Sequence, residues 1–103
     1  MHTQSPVGIP DKWTIRTRDD GGFWSEPVIG KNKASAYEFA AEESAICDEV
    51  MLTDPHGNDV DVWVCITREG VRYGHESEEA ASKQKAALNE KWGKYGLAKV
   101  VKI

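Results

Sequence analysis

The feature that most constrains the fold is the run Asp59–Thr67, the longest strand-like run in the chain. Its odd positions include Trp63 and Cys65, so one face is apolar near its middle. Its even positions are all β-branched and apolar: Val60, Val62, Val64 and Ile66. Alternation of this kind predicts a β-strand. A strand that is apolar on both faces near its centre is typical of the inside of a sheet, so we expect one central strand here.

Length and composition indicate one globular domain. With 103 residues, 40% of them hydrophobic, the chain can bury most of its unfolded surface without disulfides or a metal. We expect a single α+β domain over residues 11–103. A flexible N-terminal arm over residues 1–10 precedes it, because this stretch is polar and contains two prolines and a glycine.

Two observations bear on where the protein works. The N-terminus has neither the basic stretch nor the apolar run of a signal peptide, and no apolar run approaches about 20 residues. Cys47 and Cys65 form no CxxC pair. We therefore expect a cytoplasmic protein with reduced thiols and no membrane contact. Whether the two cysteines lie close together is left open.

Hydrophobic patterning and turn residues predict the other elements. Trp13–Arg18 is a half-buried strand, and Asp19–Gly22 turns it back into a second strand, Phe23–Glu26, at a sheet edge next to Pro27. Residues 35–48 are expected to be helical, with Ser35 and Glu38 as a capping box. In an alternative interpretation the helix starts near Glu42.

A short strand at residues 49–53 follows this helix, and the second half of the chain repeats the order. After Asp59–Thr67, the sequence predicts a strand at residues 71–73 and a helix from an N-cap at Ser77 to about Trp92. Gly93 or Gly96 ends this helix, and residues 97–103 form a last strand. An offset of 50 residues aligns Trp13 with Trp63, Thr17 with Thr67, and Arg18 with Arg68.

This order predicts an internal ββαβ-ββαβ repeat. Two copies are too few for a solenoid. We therefore expect them to merge into a two-layer α+β fold, with an antiparallel-rich sheet of five or six strands and both helices on one face.

Motifs for chemistry are not found. The turn Asp54–Asp59 gathers oxygen ligands, but it has no glycine at the sixth position and no distal glutamate, both of which a calcium loop requires. His56 and His75 with the two cysteines lack the local pairs of a zinc site. No GxSxG sequence or glycine-rich phosphate loop is present. We therefore expect no catalytic, metal or cofactor site, and a protein that is not an enzyme.

Charge is distributed unevenly along the chain. Residues 1–54 carry ten acidic and five basic side chains, and the first predicted helix is acidic. Tryptophan is frequent at the centres of protein interfaces, and complementary charge steers association. The sequence therefore predicts a protein-interaction module, such as a small phage or mobile-element inhibitor of a host protein. The predicted contact residues are Trp24, Glu38, Glu42 and Glu43.

Two alternatives are kept. Lysines on the second helix and last strand suggest a nucleic-acid-binding module, although a net charge of -4 argues against a general one. These lysines are Lys83, Lys85, Lys91, Lys94, Lys99 and Lys102. The third interpretation is an enzyme with an unfamiliar site. Both charged faces would also suit ordinary solvated surface, and Trp24 would also suit the core. The identity of the partner and the oligomeric state are not predicted.

Overall fold

The computed structural model describes residues 11–92 and 98–103. In chain order the elements within those residues are β1 (Trp13–Arg18), β2 (Val28–Gly30), α1 (Lys33–Glu43), β3 (Glu49–Thr53), β4 (Asp59–Val60), β5 (Trp63–Ile66), β6 (Arg72–His75), α2 (Glu78–Trp92) and β7 (Lys99–Lys102). The predicted N-terminal arm, residues 1–10, lies outside this part of the chain.

The strands form two antiparallel sheets. The first sheet has the order β2-β1-β3-β4 and the second has the order β6-β5-β7. The α+β class and the antiparallel pairing are confirmed. The prediction of one sheet with five or six strands is wrong.

The run Asp59–Thr67 is where the chain changes sheets. Asp59 and Val60 pair with β3 in the first sheet, whereas Trp63–Ile66 forms the central strand of the second. Asp61 and Val62 lie between the two strands, and the Val62 side chain is buried in the core shared by both sheets. All even positions of the run therefore face one core. The alternating pattern is the same whether the strand continues or breaks, so it could not reveal the break.

Helix α1 lies between the two sheets. It packs against β1, β2 and β3 of the first sheet and against β6 of the second. Its buried face is narrow, because three of its four buried residues are alanines: Ala36, Tyr37, Ala40 and Ala41. These residues share one core cluster with Ile15, Leu52, Val62 and Val64. Small side chains allow the helix to approach both sheets closely.

Helix α2 packs on the opposite face of the second sheet. Val64 pairs with Gly74, and this pair faces α1. Cys65 and His75 point to the other face, where the His75 ring is hydrogen-bonded to Gln84 of α2. The prediction that both helices share one face is therefore wrong. The central strand β5 is apolar on both faces, so α1 buries one face and α2 buries the other.

The two halves of the chain have the same connectivity. The units β1-β2-α1-β3 and β5-β6-α2-β7 give sheets of matching strand order, and Trp13 and Trp63 begin corresponding strands. Consecutive hairpins pair in this way whether or not their sequences are related. The repeat at an offset of 50 residues therefore stays a prediction.

The start of α1 differs from the predicted capping box. Asn32 is the N-cap, and its side-chain oxygen accepts the backbone N–H of Ser35 at 2.8 Å. The long helix is thus correct and a start near Glu42 is wrong, but the helix ends at Glu43 rather than at residue 48. For α2 the N-cap is confirmed, since Ser77 accepts the N–H of Ala80 at 3.1 Å. The predicted stop at Gly93 or Gly96 lies outside the described residues.

The predicted strand Phe23–Glu26 is also wrong. Ser25 keeps one backbone bond to β1, since its N–H donates to the Thr17 carbonyl at 2.8 Å, but its hydroxyl accepts the Thr17 N–H at 3.0 Å in place of the second ladder bond. Regular pairing resumes only after Pro27, in β2, which is an edge strand as expected. The segment that carries Phe23 and Trp24 is consequently a loop.

Candidate partner-binding surface

Trp24 lines a groove of about 430 Å³ at one end of the molecule. The groove lies between the β1–β2 connection, the α1–β3 connection and the end of β7. Trp24 is half-buried there, so it is neither a core residue nor fully exposed. Cys47 and Ser44 form the neighbouring wall.

Arg18 holds the indole in place from β1. Its guanidinium carbon lies 4.5 Å from the centroid of the Trp24 ring, within the range of a cation–π contact. Two parallel hydrogen bonds of 2.7 and 3.0 Å join the same guanidinium to Glu49 of β3. These bonds raise the pKa of Arg18 and lower the pKa of Glu49, so both groups are charged at neutral pH.

Reciprocal hydrogen bonds tie the two connections together. The Asp19 carboxylate accepts the backbone N–H of Asp48 at 2.8 Å, and the Asp48 carboxylate accepts the backbone N–H of Asp20 at 2.7 Å. The β1–β2 connection is therefore fastened to the α1–β3 connection by backbone donors. The side chains that follow are presented on anchored loops.

Two large apolar side chains project from these loops. Phe23 is 99% exposed and Ile46 is 75% exposed, and each is the chain neighbour of a groove residue, Trp24 and Cys47. We call residues 18–26 and 42–49 together the Phe23 surface. These segments contain seven carboxylates and one cation, Arg18, which is already paired with Glu49. The Phe23 surface thus combines exposed apolar side chains with excess negative charge.

The predicted contact residues are partly brought together. Trp24, Glu42 and Glu43 belong to the Phe23 surface. Glu38 lies one turn earlier on the exposed face of α1, whereas Glu43 at the helix end is half-buried. Sequence patterning missed Phe23 and Ile46, because it placed the first in a strand and the second in a helix. Phe23 lies in the loop before β2 begins at Val28, and α1 ends at Glu43, before Ile46.

The described lysines of the nucleic-acid alternative on α2 are interspersed with acidic side chains. Lys83, Lys85 and Lys91 are exposed on α2, but so are three glutamates of the same helix: Glu78, Glu79 and Glu90. Lys102 on β7 is paired with Asp61 at 3.4 Å. Lys94 lies outside the described residues. The nucleic-acid alternative stays a prediction.

Asp54 stabilises the turn Asp54–Asp59 through its side chain. Its carboxylate accepts the backbone N–H groups of Asn58 and His56, each at 2.9 Å. These bonds lower the pKa of Asp54, with the largest effect from Asn58. Among the described residues, no group of three or more His, Cys, Asp or Glu side chains is arranged to hold a metal ion.

The Asp54 turn predicts an acid-dependent loss of stability. Its folded pKa lies below the unfolded value of about 3.9, so its stabilising effect is present above that pH and is lost as pH falls through the folded pKa. Asp54→Asn mimics the neutral form. We expect this variant to be less stable than the parent at pH 7 and to match it near pH 2, as measured by urea denaturation. A difference that persists at low pH would contradict this account.

The two cysteines are free and differ in exposure. Cys65 is fully buried, and burial raises the pKa of its thiol, whereas Cys47 is partly exposed in the groove beside Trp24. In native protein we expect one thiol, Cys47, to react rapidly with a disulfide reagent. Cys65 should react only in denaturant. If Cys65 reacted rapidly in a Cys47→Ser variant, its thiol would not be buried beneath α2, in contradiction to the structure.

Comparison with known proteins supplies no relative. No protein-family model matches the chain, and searches of curated proteins and of solved structures returned no match. No helix in the described residues is long and apolar enough to cross a membrane.

Proposed function

We propose that this chain is a non-enzymatic protein-interaction module that docks through the Phe23 surface. The observation that carries the proposal is the Phe23 side chain, 99% exposed beside the half-buried Trp24. Burying a side chain of this size is worth about 1.5–3 kcal/mol. Its exposure on an anchored loop leaves that free energy available for a partner.

The local charge defines the chemistry of the partner. The two loop segments carry seven carboxylates, and the one cation within them, Arg18, is paired with Glu49. A complementary protein presents an apolar pocket with a rim of lysine or arginine. The pocket receives Phe23 and Ile46, and the rim meets Asp19, Asp20, Glu42, Glu43 and Asp48. Glu38 extends this contact along α1.

The arrangement of the loops favours docking without reordering. The Asp19–Asp48 and Asp20–Asp48 hydrogen bonds fix the two loop segments against each other. Loops held in one arrangement lose less conformational freedom when a partner binds. This anchoring supports the proposal that the Phe23 surface is a docking site.

Photo-cross-linking in the source cells tests the proposal. Phe23→p-benzoylphenylalanine places a reactive aromatic group at the centre of the surface, and the same group at Lys83 on exposed α2 is the matched control. We expect one discrete protein adduct from position 23 that disappears when Glu42→Lys and Glu43→Lys are added. A nucleic-acid adduct from position 83, with none from position 23, would favour the alternative. If the adduct from position 23 formed equally well with Glu42→Lys and Glu43→Lys present, the proposed surface would be contradicted.

A further inference from the structure

The outer edge of β6 presents unpaired backbone groups. The N–H of Thr67 donates to the carbonyl of Val71 at 2.9 Å, which sets the alternation of hydrogen bonds along the β5–β6 pair. Tyr73 and His75 therefore bond to β5. The N–H and C=O groups of Arg72 and Gly74 point away from the sheet, at its edge.

The side chains of β6 do not protect this edge. Arg72 is turned towards α1 and donates to the Ser44 hydroxyl at 3.0 Å, and His75 is held by Gln84 of α2. Val71 and Tyr73 beside the edge are 48% and 37% exposed. The opposite edge strand, β7, begins and ends with exposed lysines, a common protection against strand addition. The first sheet ends in β2 and β4, of three and two residues.

A cleft adjoins the end of β6. It has a volume of about 350 Å³ and lies between Gly74–Glu76 and the first turns of α1 and α2. Ala34, Tyr37 and Ala80 make its walls apolar, and Lys33 and Glu76, which also line it, form an ion pair of 2.9 Å. Burial raises the pKa of the Tyr37 hydroxyl, which stays protonated at neutral pH. The cleft has room for an apolar side chain next to the open edge.

We propose that β6 binds an extended segment of a partner protein as an added strand of the second sheet. The backbone groups of Arg72 and Gly74 supply the hydrogen bonds. The side chains of the segment alternate between the Tyr37 cleft on one face and the exposed Tyr73 ring on the other. Both surroundings favour β-branched or aromatic residues.

The occupant is a peptide segment rather than a second copy of this chain. Helix α1 crosses directly over Gly74, since a Cβ there would lie 2.7 Å from the carbonyl carbon of Tyr37. Pairing of β6 with β6 of another copy would bring two α1 helices over strands about 4.8 Å apart. Packed helices need about 8–10 Å between axes. A single extended segment brings no second helix to this position.

Nuclear magnetic resonance with a strand-forming probe tests the proposal. The probe is the peptide acetyl-KTVTVTE-amide, and the control is the same peptide with an N-methyl group at every residue, which removes the backbone donors of both of its edges. Titration of the labelled full chain is expected to shift the amide signals of Arg72 and Gly74 in a saturable way. The methylated peptide should leave both unchanged.

Two variants separate the backbone from the side chain. Arg72→Pro removes the outward N–H and should weaken binding at least about tenfold, whereas Arg72→Ala keeps the N–H and should bind within about threefold of the parent. Phe23→Ala/Ile46→Ala should bind the peptide normally, so this inference can stand or fall apart from the Phe23 surface. Absence of shifts at both amides up to about 5 mM peptide, or equal shifts with the methylated peptide, would overturn it. Dimerisation of the chain through β6 without added probe would assign the edge to a second copy and would also overturn the proposal.

Discussion

Replacement of Gly74 by alanine is expected to lower the free energy of unfolding by about 3 kcal/mol. The added Cβ would lie 2.7 Å from the Tyr37 carbonyl carbon, closer still to its oxygen, and 3.3 Å from the Ala41 side chain. The first two are backbone atoms of α1, so a side-chain rotation cannot relieve the contact. Helix α1 must shift, and its other side is packed on the first sheet.

Denaturant unfolding measures this effect, and Gly22→Ala is its control. Gly22 lies in an exposed turn where an added Cβ would come no closer than 3.2 Å to the Asp19 oxygen. We expect the control to change stability by less than about 1 kcal/mol. If Gly74→Ala were as mild as the control, α1 would not lie against β6 as described.

The second large effect is expected on partner affinity. Phe23→Ala/Ile46→Ala should weaken binding of the partner cross-linked at position 23 by at least about 2 kcal/mol, or roughly 30-fold. The free energy of unfolding should change by less than about 0.5 kcal/mol, because both side chains are exposed in the free chain. Calorimetric titration and urea denaturation of the same samples separate the two quantities.

Charge and apolar contact should act on different rate constants. Glu42→Lys/Glu43→Lys is expected to slow association and to reduce its salt dependence, whereas the loss of Phe23 and Ile46 should speed dissociation. Lys83→Ala/Lys85→Ala on α2 serves as the matched control and should change neither rate. An equal loss of affinity in the α2 control would move the contact away from the Phe23 surface.

Local signals in the sequence predicted most of the single elements. The strands β1 and β3, the Ser77 cap of α2 and the central strand β5 follow from alternation and from capping chemistry that act within a few residues. The apolar residues on both faces of β5 already indicate that a helix covers each face. The prediction of both helices on one face is inconsistent with that pattern.

The division into two sheets could not be read from periodicity. Val60, Val62 and Val64 keep the same alternation across the break, because both sheets face one core. Phe23 lies in the loop where the Ser25 hydroxyl replaces one of the two backbone bonds expected with Thr17. Such a replacement depends on tertiary contacts and does not follow from the local sequence pattern. The Phe23 surface therefore emerged only once the two loops were placed side by side.

Hydrogen-exchange mass spectrometry of the chain, free and bound to the protein captured at position 23, tests the central claim most directly. The proposed docking predicts slower exchange in residues 19–26 and 42–49 on binding, with α2 unchanged over residues 78–91. The double variant Phe23→Ala/Ile46→Ala should lose this protection at the same partner concentration. Protection confined to α2, or spread evenly over the chain, would contradict the assignment of the Phe23 surface as the partner-binding site.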